Sequence, residues 1–213
     1  MRKTAKLLCA AMLLLGGTIT AFGQSDQEEF DGKFRDQVEI NADDLFDSDD
    51  AILGAQDAEY TIVEFIDYRA EYCRANHEVL AKYLIENSDT RVVIKHFPIL
   101  GEESRIMAET ALAVFKIKGQ EAFAKVHDAF LAYGGPVNEQ VLHDLIWEAG
   151  IDASSVTELR RSSREIQLLL GSVQRLARLF EIQVSPSFIS ERFVLRGFLS
   201  EDAIDEFIGR QAE

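Results

Sequence analysis

Two β-branched apolar runs on either side of one amphipathic stretch constrain the fold of this chain more than any other feature. Residues 61–67 and 91–97 each have the composition of a buried strand, and Pro98 ends the second run. Residues 72–86, between them, place apolar side chains at the spacing of a helix. This order predicts a parallel strand pair joined by a right-handed helical crossover.

The second half of the chain is mainly helical in pattern. From about residue 103 to about residue 181 every apolar repeat has the helical period. Short apolar runs at 188–189 and 193–195 then predict an antiparallel hairpin, and Ser200 is placed to cap a last helix. The predicted class is α/β, with residues 51–213 in the order of a thioredoxin fold interrupted by a helical domain.

Residues 1–23 have the pattern of a secretory signal peptide. Basic residues are followed by an apolar stretch from Leu7 to Leu15 and by small residues before Gln24. The stretch is shorter than a membrane-spanning helix requires, which favours cleavage over anchoring. The mature chain is expected to be exported, to a periplasm or to the extracellular space, without membrane attachment.

The charge of the mature chain excludes two classes of partner. Cleavage of the leader removes three positive charges and changes the formal net charge from −15 to −18. Such a surface repels nucleic acid and anionic lipid. Acidic residues are densest across 24–50, which we expect to form a solvated N-terminal arm, with an interaction tail as the alternative.

A single cysteine remains after the leader is removed. Cys9 lies within the signal peptide, so Cys73 stands alone in the mature chain. Cysteines of exported proteins usually form disulfides, yet Cys73 has no internal partner. It is a buried inert thiol, one half of an intermolecular disulfide, or a reactive group.

The segment around Cys73 carries a family resemblance. Residues 63–77, VEFIDYRAEYCRANH, resemble the active-site segment of DsbA-like thiol–disulfide oxidoreductases, which is similar to VEFFDYxCPYCKxxH. Shorter resemblances keep the same order along the chain, at residues 44–46, 53–54, 97–101, 185–188 and 196–197. The resemblance implies a thioredoxin fold and polypeptide substrates.

The chain departs from this family where the redox chemistry takes place. The family has Cys-x-x-Cys at the start of the helix, whereas this chain has Ala70-Glu71-Tyr72-Cys73. The first cysteine of the family pair attacks as a thiolate that the helix N-terminus stabilises. Ala70 cannot attack a disulfide, and Glu71 adds a carboxylate that raises the pKa of a nearby thiol. Cys73 resembles the resolving cysteine.

Two interpretations of Cys73 remain open at this point. It is a buried apolar residue, or the small side chain at Ala70 opens a path to it and it forms mixed disulfides as a monothiol. His77 lies one helical turn further on and could pair with it. Glu64 resembles the buried acid that relays protons in the family, with a solvent-facing carboxylate or a pair with Lys95 as the alternative.

A polypeptide-binding groove is also implied by the resemblance. Pro186 is similar to the family's cis-proline, and Ser185, Pro186 and Tyr72 are expected to contact an extended substrate by strand addition, which needs no thiol. The remaining histidines lack the spacing of metal ligands, and the chain has no phosphate-binding glycine loop. Neither a metal nor a cofactor is therefore expected.

These observations together predict an exported, redox-impaired member of the DsbA-like family that binds extended or unfolded exported polypeptides. The alternative is an enzyme, a monothiol disulfide exchanger or reductase that uses Cys73 and an outside mixed-disulfide partner.

Overall fold

A computed structural model of the protein describes Leu45, residues 50–191 and residues 193–210. The predicted signal peptide and nearly all of the predicted acidic arm lie outside the described residues. The strands are β1 (Ala51–Gly54), β2 (Tyr60–Ile66), β3 (Thr90–His96), β4 (Ser187–Ile189) and β5 (Val194–Arg196). The helices are α1 (Glu71–Glu86), α2 (Glu102–Lys118), α3 (Gln120–Ala132), α4 (Glu139–Glu148), α5 (Ala153–Ser162), α6 (Arg164–Leu179) and α7 (Glu201–Ile208).

The described strands form one sheet in the order β1-β3-β2-β4-β5. β2 and β3 pair in parallel, and the other neighbours pair antiparallel. The predicted α/β class, with its strand, helix, strand unit and its C-terminal hairpin, is confirmed. β2 is buried along its whole length except at Tyr60. Because elements cover both faces of this strand, it is apolar at nearly every position.

β1 is an edge strand that the sequence patterns did not predict. Its four residues, AILG, are too few for a period to be recognised. The strand is held by antiparallel pairing with β3, from Ala51 opposite Ile94 to Gly54 opposite Arg91. Gly54 has a φ of +87°, and a Cβ there would lie 2.7 Å from the carbonyl oxygen of Thr90. Glycine thus permits the close approach that ends the strand.

Apolar side chains pack against both faces of the sheet. On one face, Phe65 and Ile189 of the sheet pack with Val173 and Ala177 of α6. On the other face, Phe188 meets Phe207 of α7 with ring centroids 6.5 Å apart. Glu64 is the register partner of Phe188 and lies on that second face.

Five helices, α2 to α6, follow β3 in the chain and precede β4. Three of them begin at residues whose side chains accept a backbone N–H, namely Asn138, Asp152 and Ser163. A buried cation joins this helical block: Arg160 lies 2.5 Å from Glu139 Oε1 and 3.9 Å from Glu109 Oε2. The two carboxylates compensate for the loss of water around the guanidinium.

The last helix begins where it was predicted to begin. Ser200 is the N-cap of α7, although its side chain makes no capping hydrogen bond. Glu201 and Asp202 instead place negative charge in the first turn, where the helix dipole favours it.

Candidate functional site

The candidate site lies at the carboxyl ends of β2 and β3, where α1 begins. Ala70 is the N-cap of α1, and its carbonyl oxygen accepts the Cys73 N–H at 3.1 Å. The loop before β4 reaches the same place through a cis Ser185–Pro186 peptide bond. Cys73 and Ser185 are in contact although 112 positions separate them in the sequence.

The Cys73 thiol is closed in by hydrogen bonds as well as by packing. Its Sγ lies 3.2 Å from Ser185 Oγ, and Ser185 Oγ donates to the Phe65 carbonyl oxygen at 2.9 Å. The contact between Sγ and Ser185 Oγ holds the thiol against the loop before β4, whichever of the two atoms donates.

The electrostatics of Cys73 favour the thiol over the thiolate. Burial, followed by the negative charge of Glu64, raises the pKa of Cys73 to about 12. The residue is 0% exposed, so the path through Ala70 that a monothiol mechanism requires is closed. His77, the predicted partner of the thiol, instead has its Nε2 3.1 Å from Asp128.

Ala70, predicted to stand at the position of the family's attacking cysteine, carries only a methyl group at the start of α1. Ala70 is buried and makes no side-chain cap to the helix. Sulfur at this position would receive the stabilising field of the helix N-terminus. Glu71, in the first turn of α1, supplies an exposed negative charge there instead. The start of α1 thus lacks a group that attacks a disulfide.

Glu64 is an uncompensated acid beneath the site. It is 2% exposed, and its Oε1 has no hydrogen-bond partner within the described residues. Burial raises its pKa to about 8, so the carboxyl is mostly protonated at neutral pH. The alternative that Glu64 faces solvent or pairs with Lys95 is wrong, because Lys95 Nζ lies 2.5 Å from Asp50.

Asp67 is a site residue that sequence reasoning missed. Its carboxylate accepts the N–H of Arg69 at 2.8 Å, of Ile99 at 2.8 Å and of Leu100 at 2.9 Å. The side chain therefore ties the loop after β2 to the loop after β3. An acid that directly follows a buried strand and precedes a loop was the available signal, since such a residue often binds free backbone N–H groups.

Arg69 connects the same loop to the helical block. Its guanidinium donates to the Gly135 carbonyl oxygen at 2.9 Å, and its Nε lies 3.0 Å from Glu103 Oε2 in the first turn of α2. These contacts hold the segment that precedes Ala70 against elements far away in the sequence.

Tyr68 and three histidines cluster beside the site. The Tyr68 hydroxyl lies 3.2 Å from His96 Nε2 and 3.0 Å from His127 Nδ1, and the His77 ring lies 5.2 Å from that of His127. Burial lowers the pKa of His96 to about 3 and that of His127 well below its ordinary value. Both rings are therefore neutral. No group of three or more potential metal ligands occurs in the described part of the chain.

The three predicted substrate contacts differ in exposure. Tyr72 is 66% exposed, Ser185 is half-buried and Pro186 is buried. Within residues 50–191 and 193–210, the peptide N–H and C=O of Ser185 have no backbone hydrogen-bond partner. The adjacent Val184 exposes its side chain. Among the described residues the loop thus leaves both peptide groups of Ser185 without backbone pairing and exposes the adjacent apolar side chain of Val184.

Comparison with known protein families shows to which family this chain belongs. The DSBA-like thioredoxin domain matches residues 61–206, which include β2, α1 and the Pro186 loop. The chain belongs to the DSBA-like thioredoxin family. Its resemblance to the DsbA-like thiol–disulfide oxidoreductases is thereby confirmed, and the match continues through the helical block to α7.

Solved structures of this family share the fold. A thioredoxin-like oxidoreductase from Silicibacter pomeroyi DSS-3 has a TM-score of 0.74 and 27% identity, and the match covers 80% of this chain and 97% of that one. The thiol-disulfide exchange protein alpha-DsbA2 from Wolbachia pipientis has a TM-score of 0.74 and 20% identity, with 80% and 91% covered. A periplasmic thioredoxin-like protein from Salmonella enterica serovar Typhimurium has a TM-score of 0.69 and 22% identity, with 76% and 90% covered. The thioredoxin fold with inserted helices is therefore confirmed.

A shorter match involves a membrane transporter. The Na(+)/H(+) antiporter NhaA 3 of Salinispora tropica is 29% identical over 86 residues, which are 39% of this chain and 13% of the antiporter. The similarity thus concerns a small part of that protein. Among the described residues, no helix combines the length and the apolar composition needed to cross a bilayer.

Proposed function

We propose that the protein is an exported DsbA-like scaffold that binds extended or unfolded polypeptides without catalysing dithiol–disulfide exchange. The start of α1 carries this proposal, because Ala70 stands where the family has its attacking cysteine and Cys73 is buried behind it. Thiol–disulfide exchange within one protein needs a thiolate that attacks and a second thiol that resolves the mixed disulfide. Ala70 cannot supply the attacking thiolate.

The buried thiol is poorly suited to replace the missing one. Only a thiolate attacks a disulfide, and the pKa of Cys73 is raised to about 12. The thiol of Cys73 is therefore protonated at neutral pH. These properties support a binding protein over the alternative of a monothiol exchanger or reductase.

The loop before Pro186 supports binding of extended chains. The free peptide groups of Ser185 can pair with one residue of an added strand, and strand addition derives its affinity from such main-chain hydrogen bonds. Val184 and Tyr72 add exposed apolar surface on either side. Such a site recognises unfolded segments through their backbone and requires no sulfur.

The signal-like residues 1–23 support an exported location, periplasmic or extracellular. Clients in such a compartment would be newly exported polypeptides before they fold. The strongly negative charge of the mature chain supports a soluble protein with no nucleic-acid partner.

Two assays on the mature protein test this function. We expect no acceleration of insulin reduction by dithiothreitol, and we expect suppression of the aggregation of an unfolded client. Val184→Asp should weaken the suppression, because it places a charge in the apolar edge of the site. Leu168→Asp is the matched control, since Leu168 is exposed on α6 in the helical block.

The two assays can each refute the proposal. Robust insulin reduction by the unmodified protein would show that Cys73 acts as a catalyst. Absence of any suppression, or equal loss in Val184→Asp and Leu168→Asp, would show that the loop before Pro186 is not a binding edge.

A further inference from the structure

We propose, on the basis of the binding function above, that the preferred client segment is apolar and positively charged. The exposed surface around the Ser185 loop is rich in apolar side chains, and most of the exposed charges around it are acidic. A segment that combines apolar side chains with lysine or arginine would satisfy both features, whereas an acidic segment would be repelled.

The apolar part of this surface comes from four separate segments. Five of the nine large hydrophobic side chains that the described chain exposes lie on these segments, namely Tyr72, Ile99, Leu100, Val184 and Phe198. Single exposed apolar residues are normal on a protein surface, but their concentration at one end of a molecule marks an interaction site. We call these five residues the apolar rim.

Hydrogen bonds bring the segments of the apolar rim together. Asp67 holds the N–H groups of Ile99 and Leu100 beside the start of α1. The Gly197 N–H donates to the Pro186 carbonyl oxygen at 2.9 Å, which places Phe198 beside the Ser185 loop.

A second pair of hydrogen bonds joins this end of the chain to α1. The Asn76 side chain donates to the Leu199 carbonyl oxygen at 2.6 Å and accepts the Leu199 N–H at 3.0 Å. Phe198 is therefore held close to the helix that carries Tyr72. The rim is built into the fold by buried contacts.

The charged groups around the rim are unequal in their exposure. The exposed acids are Glu71, Glu102 and Glu181, and the exposed cation Arg105 forms an ion pair with Glu102. The other cations that the structure describes on these segments are Arg69, Arg74 and Arg196, and each of them is partly buried.

Two of these cations already have partners within the protein. Arg69 is committed to Glu103 and to the Gly135 carbonyl oxygen. Arg196 donates to the carbonyl oxygens of Phe180 and Glu181. An approaching peptide therefore meets mainly carboxylates, and the formal net charge of −15 adds long-range attraction for cations.

Three labelled peptides and the full mature protein test this inference by fluorescence anisotropy. The first peptide alternates valine and phenylalanine with flanking lysines, the second replaces the lysines with glutamates, and the third replaces the apolar residues with serines. At low salt the lysine peptide should bind about two- to fivefold more tightly than the glutamate peptide for each charge contact. High salt should reduce that ratio.

Matched variants assign the effect to the rim. Glu71→Lys should lower or reverse the preference for lysine, whereas Glu148→Lys, at an exposed position of α4, should preserve it. Tyr72→Ser should weaken both apolar peptides. Ile85→Ser, which removes an exposed apolar residue at the far end of α1, should not.

Each other outcome has a defined meaning. Equal binding of the lysine and glutamate peptides would overturn the charge preference and leave the proposed binding function intact. If the serine peptide bound as tightly as the lysine peptide, the role of the apolar rim would be overturned. Absence of binding by all three peptides would overturn the inference, and the proposed function would fall with it only if aggregation of the unfolded client also went unsuppressed.

Discussion

Replacing Glu64 with glutamine should remove a large loss of stability between about pH 5 and pH 8. Burial of this carboxyl raises its pKa from the ordinary value of 4.5 to about 8. Between these values the folded protein keeps a proton that the unfolded chain has released. The stabilising contribution is therefore fully present below about pH 4.5 and is lost as the pH rises through about 8.

The magnitude follows from the same shift. At about 1.4 kcal/mol for each pKa unit, the whole interval amounts to about 5 kcal/mol, of which about 4 kcal/mol falls between pH 5 and pH 8. A domain has a total stability of only about 5–15 kcal/mol, so the effect is large. Glutamine has nearly the same shape and does not titrate, so Glu64→Gln should lack this slope.

Urea unfolding of both proteins from pH 5 to pH 8 measures the effect. The difference between their free energies of unfolding should change by about 4 kcal/mol in favour of Glu64→Gln as the pH rises, because titration of all other groups cancels in the difference. Glu86→Gln, at an exposed position near the end of α1, is the control and should show a constant difference. A constant difference for Glu64→Gln as well would refute the assignment of a buried, protonated carboxyl.

Three further predictions concern the thiol, the missing nucleophile and the histidine cluster. Titration with Ellman's reagent should detect no thiol in the native mature protein and one after denaturation in urea, because Cys73 is fully buried; rapid reaction in the native state would contradict this. Ala70→Cys combined with Glu71→Pro should form a disulfide with Cys73 and restore insulin reduction, since two cysteines separated by two residues at a helix start can meet the Cα separation of about 4.4–6.8 Å that a disulfide needs. Intact mass checks this, and a correctly folded variant that keeps two free thiols would show that position 70 is not that of the family's attacking cysteine. His127→Asn should flatten the loss of stability below about pH 6.5, because the buried neutral ring contributes stability above that pH that is lost as the unfolded chain binds protons. Urea unfolding measures it, with the exposed His143→Asn as the control, and an equal acid slope in both variants would contradict the prediction.

The main elements of the fold could be predicted because their signals are local. β2 and β3 are long enough for a β-branched apolar pattern to be recognised, and α1 shows the helical period over several turns. β1 could not be found in this way, because a four-residue edge strand is defined by its partner and not by its own composition.

The site was predictable only in part, for a similar reason. The absence of a sulfur at Ala70 and the isolation of Cys73 are facts of composition, and the neighbouring motif shows where they matter. The roles of Asp67 and Tyr68 were not predictable, since their partners lie 32 and 59 positions away in the sequence. The periodic pattern of apolar residues in a sequence carries no information about such long-range contacts.

The sequence by itself determined which residues stand in the segment that resembles the family's active site, namely an alanine at position 70 and a cysteine at position 73. Only the tertiary structure decided the state of the groups that remain. It buries Cys73 against Ser185, leaves Glu64 Oε1 without a hydrogen-bond partner among the described residues and pairs Lys95 with Asp50. The physical reason is that protonation and accessibility depend on burial and on neighbours brought together by folding, whereas residue identity depends on neither.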